Sequence, residues 1–387
     1  MPIAHQRAYG ETSASMASTQ SSVLGQQESS ANALSNADLS RRWIGEIPVL
    51  GVGGALMALC VTLLLANGIN PGIGGIIANV QIFFLFVVIL ACWDAGKQLY
   101  RHRPDSPVDH LKTRYSSPAF LRGVAAGLPM MAVAIVLLPY FSMMKSAIPL
   151  FNDYTWDEAF IQWDRAIFFG RDAWEILQPV LGYPIITAFL GLLYQLWFLL
   201  LYPGVMFFAF AKIDPALRRQ FFLSYVLSWS LVGGAMATWL ASVGPCFVGP
   251  MFGDPHFDAQ MAYLYAANEQ IPIMVLPVQE MLLEWYAEAE NGLGSGITAM
   301  PSMHCAIAFL YWIAVRRVSS KWGAFFGVFF FITRLSSVHL AYHYAVDGLV
   351  SLLAVAAIWA VSQRIVAAWD GLLARQATLR TNTVPAE

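Results

Sequence analysis

Eight apolar stretches of roughly bilayer length run along the chain, at about 48–67, 73–93, 123–143, 184–211, 221–243, 303–317, 322–342 and 344–362. A hydrocarbon core about 30 Å thick is crossed by about twenty apolar residues in a helix, which satisfies its own backbone polar groups there. The pattern predicts an all-α, polytopic integral membrane protein of about eight transmembrane helices. The sixth stretch is short, and the seventh and eighth are separated by almost nothing. Before the first, "ETSASMASTQSSVLGQQESSANALSNADLS" has no hydrophobic period, which predicts a disordered tail over 1–42. The first stretch follows Arg41 and Arg42 and is long enough for a retained anchor rather than a cleaved signal. The expected organisation continues with two helices and a basic cytoplasmic loop over 43–120. A six-helix membrane domain over 121–365 then carries the chemistry, and 366–387 is a cytoplasmic tail.

Composition sharpens this picture. The 387 residues are 58% hydrophobic and only 12% charged, with a mean hydropathy of +0.57, far from the mix of a soluble globular chain. A formal charge of -2 argues against nucleic acid as a partner, since such binders need a concentrated basic face. Cys60, Cys92, Cys246 and Cys305 form no C-x-x-C pair, which removes the usual structural zinc signature. A bridge between Cys246 and Cys305 competes with two free buried thiols, the commoner state.

Charge placement gives the chain a sidedness. With the N-terminus inside, Lys145, Arg165 and Arg171 face outward, Arg334 sits within a span, and every other Lys and Arg is cytoplasmic, as the positive-inside rule requires. Two long connections, about 144–183 and 244–302, then lie outside. The same alternation brings His304, in "PSMH", and His343 and Asp347, in "HYAVD", to one face of the membrane. The candidate site therefore faces the periplasm of a bacterial inner membrane or the lumen of a eukaryotic endomembrane.

His343 and Asp347 are four apart, one helical turn, within reach of a carboxylate-to-imidazole hydrogen bond. Such a bond fixes the ring tautomer and leaves the other nitrogen free to attack. His304 could then protonate a leaving oxygen and later take a proton from an acceptor. Two histidines and one aspartate make a phosphoryl-transfer set without metal or cofactor. Ser302 and the free amides at the start of the sixth span would bind phosphate oxygens. Each half alone has an ordinary alternative: an interfacial His is often a hydrogen-bonded anchor, and H-x-x-x-D is common by chance.

At these residues the sequence resembles the type 2 phosphatidic acid phosphatase superfamily, whose second motif reads P-S-G-H and whose third ends H-x-x-x-D. The resemblance covers roughly the last six spans. It implies that His343 is the nucleophile forming a phosphohistidine, Asp347 its orienting partner and His304 the general acid and base. Two departures stand out. Ser337 occupies the position of the third motif's Arg, and the first motif, K-x6-R-P, is missing. "KQLYRHRP", Lys97 to Pro104, has its spacing one short and lies in an inner loop. A phosphodiester carries one negative charge and needs fewer cations than a monoester. The departures therefore point to the branch that includes inositol phosphorylceramide synthases, which the chain also resembles in "H-Y-x-x-D" and, more loosely, in "WDEAFIQWDRAIFFGRDAWEILQP". The alternative for this last segment is an amphipathic surface helix with Trp156, Trp163 and Trp174 at headgroup level.

Arg334 is a candidate phosphate-binding residue in place of the missing clamp, with a structural ion pair or snorkelling as its alternative. His339, His343 and Asp347 form an i, i+4, i+8 stripe that invites a metal reading, but the seven His residues are too scattered for a many-histidine site. No metal is expected. The expected activity is transfer of a phospho-headgroup, inositol phosphate-like, from a phospholipid donor to a lipid or polyol hydroxyl. A lipid phosphate phosphatase with water as acceptor is the alternative, and a transporter or scaffold is the alternative of another class. Headgroup, acceptor, organism and oligomeric state are not encoded legibly. The connection 244–302, with "NGLGSG" as a hinge, is the candidate lid that keeps water from a phosphohistidine.

Overall fold

The computed structural model describes residues 35–288 and 295–382, and every regular element among them is a helix. The first, α1 (Asn36–Ala66), begins within the stretch expected to be tail; residues 1–34 lie outside the described residues. The chain forms two compact units. One comprises the described residues up to Ile44 and Ile89–Leu128. It holds the end of α2 (Gly74–His102) and the short α3 (Pro107–Tyr115), where Asp94 pairs with Arg114 at 3.1 Å and accepts from the Tyr115 hydroxyl at 3.0 Å. "KQLYRHRP" belongs to this unit, whereas His304, His343 and Asp347 belong to the other.

The second unit takes Gly45–Val88 and the chain from Pro129 onward. Its helices are the later part of α4 (Pro118–Ser146), then α5 (Asp157–Ile167), α6 (Ala173–Leu181), α7 (Pro184–Phe210) and α8 (Pro215–Leu227). α8 runs on through a wider π-helical stretch, Ser228–Met236, to Trp239. After it come α9 (Pro245–Phe252), α10 (Asp258–Gln270), α11 (Leu276–Ala287), α12 (Met303–Val315), α13 (Ser320–His339) and α14 (Ala345–Asn382). Local chemistry sets the starts. Asp214 caps α8 by accepting from Ala216 and Leu217 amides, with Pro215 in the first turn where its missing N–H costs nothing.

Among the described residues, six helices are long and apolar enough to cross a membrane: α1, α2, α4, α7, α8 with its extension, and α14. The fold is that of an all-α, multi-pass membrane protein. The sixth and seventh predicted spans are different. α12 has 13 residues, about 20 Å at 1.5 Å per residue, and Cys305 through Tyr311 are all buried. It packs against α7, α8, α13 and α14, so protein rather than lipid surrounds it and its length is not set by the bilayer. α13 has the length, at 20 residues, but buries Thr333, Ser336, Ser337 and His339, which lower its apolar character.

Two apolar clusters make up most of the core of this second unit. The larger draws on α4, α7, α8, α12, α13 and α14. In the other, α5 and α9 to α11 close over Ile297, Ala299, Met300, Leu340, Ala341, Tyr344 and Val346, the residues that flank His304 and His343. The three Trp residues of the 156–179 segment, which the alternative reading set at headgroup level, are not uniformly exposed. Trp163 is 44% exposed, whereas Trp156 stacks on Phe160 at 5.7 Å and is partly buried, as is Trp174. Residues 289–294, which include most of "NGLGSG", lie outside the described residues.

Candidate active site

The turn between α13 and α14 is built before the helices that flank it can place any chemistry. Ala341 adopts φ 62°, a left-handed conformation that a Cβ disfavours. Its neighbours are tied on every side. The Gln260 side-chain amide donates to the Val338 and His339 carbonyls at 2.8 and 3.2 Å, and Gln279 donates to the Leu340 carbonyl at 2.9 Å. The Cys246 amide donates to the Ala341 carbonyl at 2.8 Å, and the His343 amide to the Ser337 carbonyl at 3.0 Å. The carbonyls at the end of α13 are thus satisfied by α10, and those of the turn after it by α9 and α11.

The first amides of α14 are satisfied by carboxylates. Asp347, the third residue of the helix, accepts from the Tyr344 amide at 3.1 Å, a reach-back of the kind seen in capping boxes. Asp164 of α5 accepts from the Ala345 and Val346 amides at 2.7 and 2.8 Å. One end of α5 away, Asp157 accepts from the Val243 and Gly244 amides and from the Tyr344 hydroxyl at 2.7 Å. Burial pushes both carboxyls of α5 above the usual range against these hydrogen bonds, Asp164 to about 6.

His343 therefore sits in the turn just ahead of α14, not on the same helix face as Asp347 as its spacing suggested. The contact survives because the turn folds the ring back onto the first helical turn. His343 Nδ1 lies 3.1 Å from Asp347 Oδ2 and 2.8 Å from the Ala299 carbonyl oxygen. A carbonyl can only accept, so Nδ1 carries the proton and Nε2 the lone pair. The Ala299 carbonyl had no signal in the sequence; it enters because residues 297–300 pass over the turn.

His304 lies in the first turn of α12. Its ring stacks on Tyr194 at 4.3 Å and 19°, with Trp197 at 4.3 Å and Phe198 edge-on at 5.6 Å. The Trp197 indole N–H donates to the His304 carbonyl at 3.1 Å. This aromatic box fixes the ring, and its Nε2 is buried without a hydrogen-bond partner. The centroids of His304 and His343 are 6.4 Å apart, so one reacting group can touch both. Ser302 caps α12: its hydroxyl accepts from the Cys305 amide at 3.4 Å, and its carbonyl accepts from the Ser351 hydroxyl at 2.9 Å.

Arg334 occupies a different place. Its guanidinium lies against Gly348, where an added Cβ would collide with Nη1 and come within 3.3 Å of Cys305 Sγ. Gly348 follows Asp347 in α14, and Arg334 Nη1 and Asp347 Oδ1 are both buried without a hydrogen-bond partner. His339 turns to Thr187, 2.9 Å from its Nε2, and Thr187 also meets the Tyr263 hydroxyl at 2.6 Å. No group of three or more His, Cys, Asp or Glu placed to hold a metal occurs among the described residues. All four cysteines are free thiols.

The residues that composition and motif overlooked are Asp157 and Asp164. They are seven apart with Phe160 and Ile161 between them, all four buried on one face of α5. Two carboxylates at helical spacing on an apolar face were the available signal, since such groups are kept buried only when hydrogen-bonded.

Comparison with known families bears on this geometry directly. The model of the PAP2 superfamily matches residues 158–361, just over half of the chain, and spans Asp164, Ser302, His304, Arg334, His343 and Asp347. No curated protein and no solved structure matches the chain. Members of the superfamily are phosphatases and phosphotransferases, and on the extent of the match, with its two histidines facing each other across one gap, this chain belongs to the PAP2 superfamily.

Proposed function

We propose that the protein is a membrane-embedded lipid phosphotransferase, which moves a phospho-headgroup, inositol phosphate-like, from a phospholipid to a lipid or polyol hydroxyl. The observation that carries this is the tautomer of His343: with Nδ1 committed to the Ala299 carbonyl and Asp347, Nε2 is the free nucleophile. Nε2 attacks phosphorus and the bond to the lipid alkoxide breaks. His304, entering the step as imidazolium, gives that oxygen its proton. In the second half the acceptor hydroxyl loses its proton to neutral His304 and attacks the phosphohistidine, which restores His343. Asp347 orients His343 and supports the positive charge that develops on its ring.

Support for a diester donor comes from Ser337, where the superfamily's third motif carries Arg, and from the missing K-x6-R-P. A singly charged phosphodiester requires less compensation than a monoester. These departures favour the branch that includes inositol phosphorylceramide synthases. The active face is the non-cytoplasmic one, because the short arginine-bearing loops point the other way.

The test is incubation of the purified protein with phospholipids labelled in the headgroup, with and without a hydroxylated acceptor. Acceptor-dependent appearance of label in a new lipid or polyol product is the expected result. Release of label at the same rate without acceptor would establish the phosphatase instead, and no turnover of any phospholipid would overturn both.

A further inference from the structure

The helix that holds the His343 turn has a second face. Asp157, Phe160, Ile161 and Asp164 form the buried row of α5. Trp163 and Ile167, four apart, form an exposed apolar row, about 90° round the helix from the buried one. Glu158, Gln162 and Arg165 form an exposed polar row on the side away from Trp163 and Ile167, with the Gln162 side-chain amide donating to Glu158 at 3.2 Å. A helix packed on protein in water shows one apolar face and one polar face. An additional, exposed apolar row fits a helix that lies along the boundary between hydrocarbon and water.

The turn after α5 supplies an independent observation. The Gly170 amide donates to the Arg165 carbonyl at 2.6 Å, closing the helix as a Schellman cap does, and Phe169 takes the left-handed position with φ 57°. Glycine is the usual residue there, because a Cβ disfavours that conformation. Phe169 is held in it although its side chain is 96% exposed and so gains almost nothing from the protein. Hydrocarbon is the medium in which a strained, projecting phenyl ring is stabilising. Arg165 and Arg171, both exposed, flank Phe169 and match the phosphates of a lipid surface in charge. α6 carries the apolar surface onward: Ile176 and Val180 are exposed, four apart, and the helix leads directly into α7. There Ile185 and Phe189 are exposed on a helix long and apolar enough to cross the membrane. A surface that runs on into a lipid-facing span has lipid as its occupant.

We propose that α5 and α6 seat in the outer leaflet, with Phe169 and Ile167 among the acyl chains and the Glu158–Gln162–Arg165 row toward water. Asp157 and Asp164 on the buried row hold the His343 turn, so the seating fixes that turn against the membrane surface. That a lipid substrate presents its phosphate at this depth rests on the phosphotransfer reading; the seating does not.

The experiment uses the full chain carrying Cys60→Ser and Cys92→Ser, since Cys246 and Cys305 are buried. It is reconstituted into vesicles of equal parts phosphatidylcholine and phosphatidylglycerol. A nitroxide is attached in turn at Phe169→Cys, Ile167→Cys and Gln162→Cys, and the signal of the parent chain is subtracted. Collision with oxygen, which partitions into lipid, is compared with collision with a water-soluble nickel chelate. The expected result is preference for oxygen at Phe169→Cys and Ile167→Cys and for the chelate at Gln162→Cys, a difference of about tenfold in the ratio of the two. Equal access of the chelate to all three labels overturns the proposal. Shielding of the first two labels from both reagents overturns it as well, because protein, a second copy of this chain or another, would then cover this face. If Phe169→Cys does not fold, the contrast between Ile167→Cys and Gln162→Cys decides alone. The labels report seating without turnover, so lipid-embedded labels on a protein that turns over no phospholipid would keep the seating and remove the enzymatic reading.

Discussion

The Tyr344 hydroxyl donates a 2.7 Å hydrogen bond to Asp157 Oδ1, joining α5 to the residue beside His343 across 187 positions of sequence. Through the same carboxylate the bond reaches the Val243 and Gly244 amides, so the connection from α8 to α9 and the His343 turn share one anchor. The turn is thus held from α5 as well as by Asp347 in the first turn of α14. The arrangement makes α5 part of the site's support rather than a cover over it.

Removing either end of that anchor should loosen the turn. In Tyr344→Phe, Asp157 keeps its two backbone donors, so the loss is expected to be about 1–2 kcal/mol. Asp157→Asn should cost more, because it disturbs three donors at once. The two changes touch one hydrogen bond, so their effects on stability in the double variant should be less than additive, by up to about 1–2 kcal/mol. Strict additivity would show that the bond carries nothing.

Asp164 should make stability depend on pH. Burial raises its folded-state pKa to about 6, above the value near 3.9 of an unfolded chain. Its contribution is therefore fully present below about 3.9 and lost as pH rises through about 6, a total of a few kcal/mol. Asp157 shifts the same way. The fall in Tm between pH 5 and pH 7.5 should be smaller in Asp164→Asn than in wild type. An equal fall in both would assign the pH dependence elsewhere.

His343→Ala removes the proposed nucleophile and should lower turnover by about a thousandfold or more with the fold retained. Asp347→Asn should be milder, about ten- to a thousandfold, because the Ala299 carbonyl still holds the Nδ1–H tautomer. Wild-type turnover in folded His343→Ala would dismiss the phosphohistidine, and an Asp347→Asn loss as deep as that of His343→Ala would give Asp347 a larger part than orientation.

Gly296 crosses the end of α4 with φ 86° and no room for a side chain. Gly296→Ala adds both strain and a clash with backbone, and should destabilise by about 1–3 kcal/mol. Because this crossing leads to Ala299, turnover should fall with stability. Denaturation midpoints of the two forms check it; identical midpoints would mean that the crossing is not as tight as its geometry indicates.

Sidedness is open to a direct test at Glu269, exposed near the end of α10. A Glu269→Cys variant should take up a membrane-impermeant thiol reagent from the non-cytoplasmic side beyond the labelling of the parent chain. Added labelling only after the cytoplasmic face is opened would invert the topology.

The all-helical, multi-pass class was legible in the sequence because bilayer thickness imposes a length on apolar runs, and α1, α2, α4, α7, α8 and α14 follow that rule. "PSMH" and "HYAVD" could also be read in the sequence, and the fold brings the rings of His304 and His343 to 6.4 Å. The short buried α12 and the polar α13 escaped the rule: a helix enclosed by protein answers to its neighbours, not to lipid thickness. Only the tertiary structure could bring the Ala299 carbonyl to Nδ1, set Arg334 against Gly348, and tie Asp157 and Asp164 to the His343 turn. Each of these is a hydrogen bond or a packing contact between segments tens to hundreds of residues apart. Local periodicity carries no information about such pairs, and burial without a partner is what forces them to form.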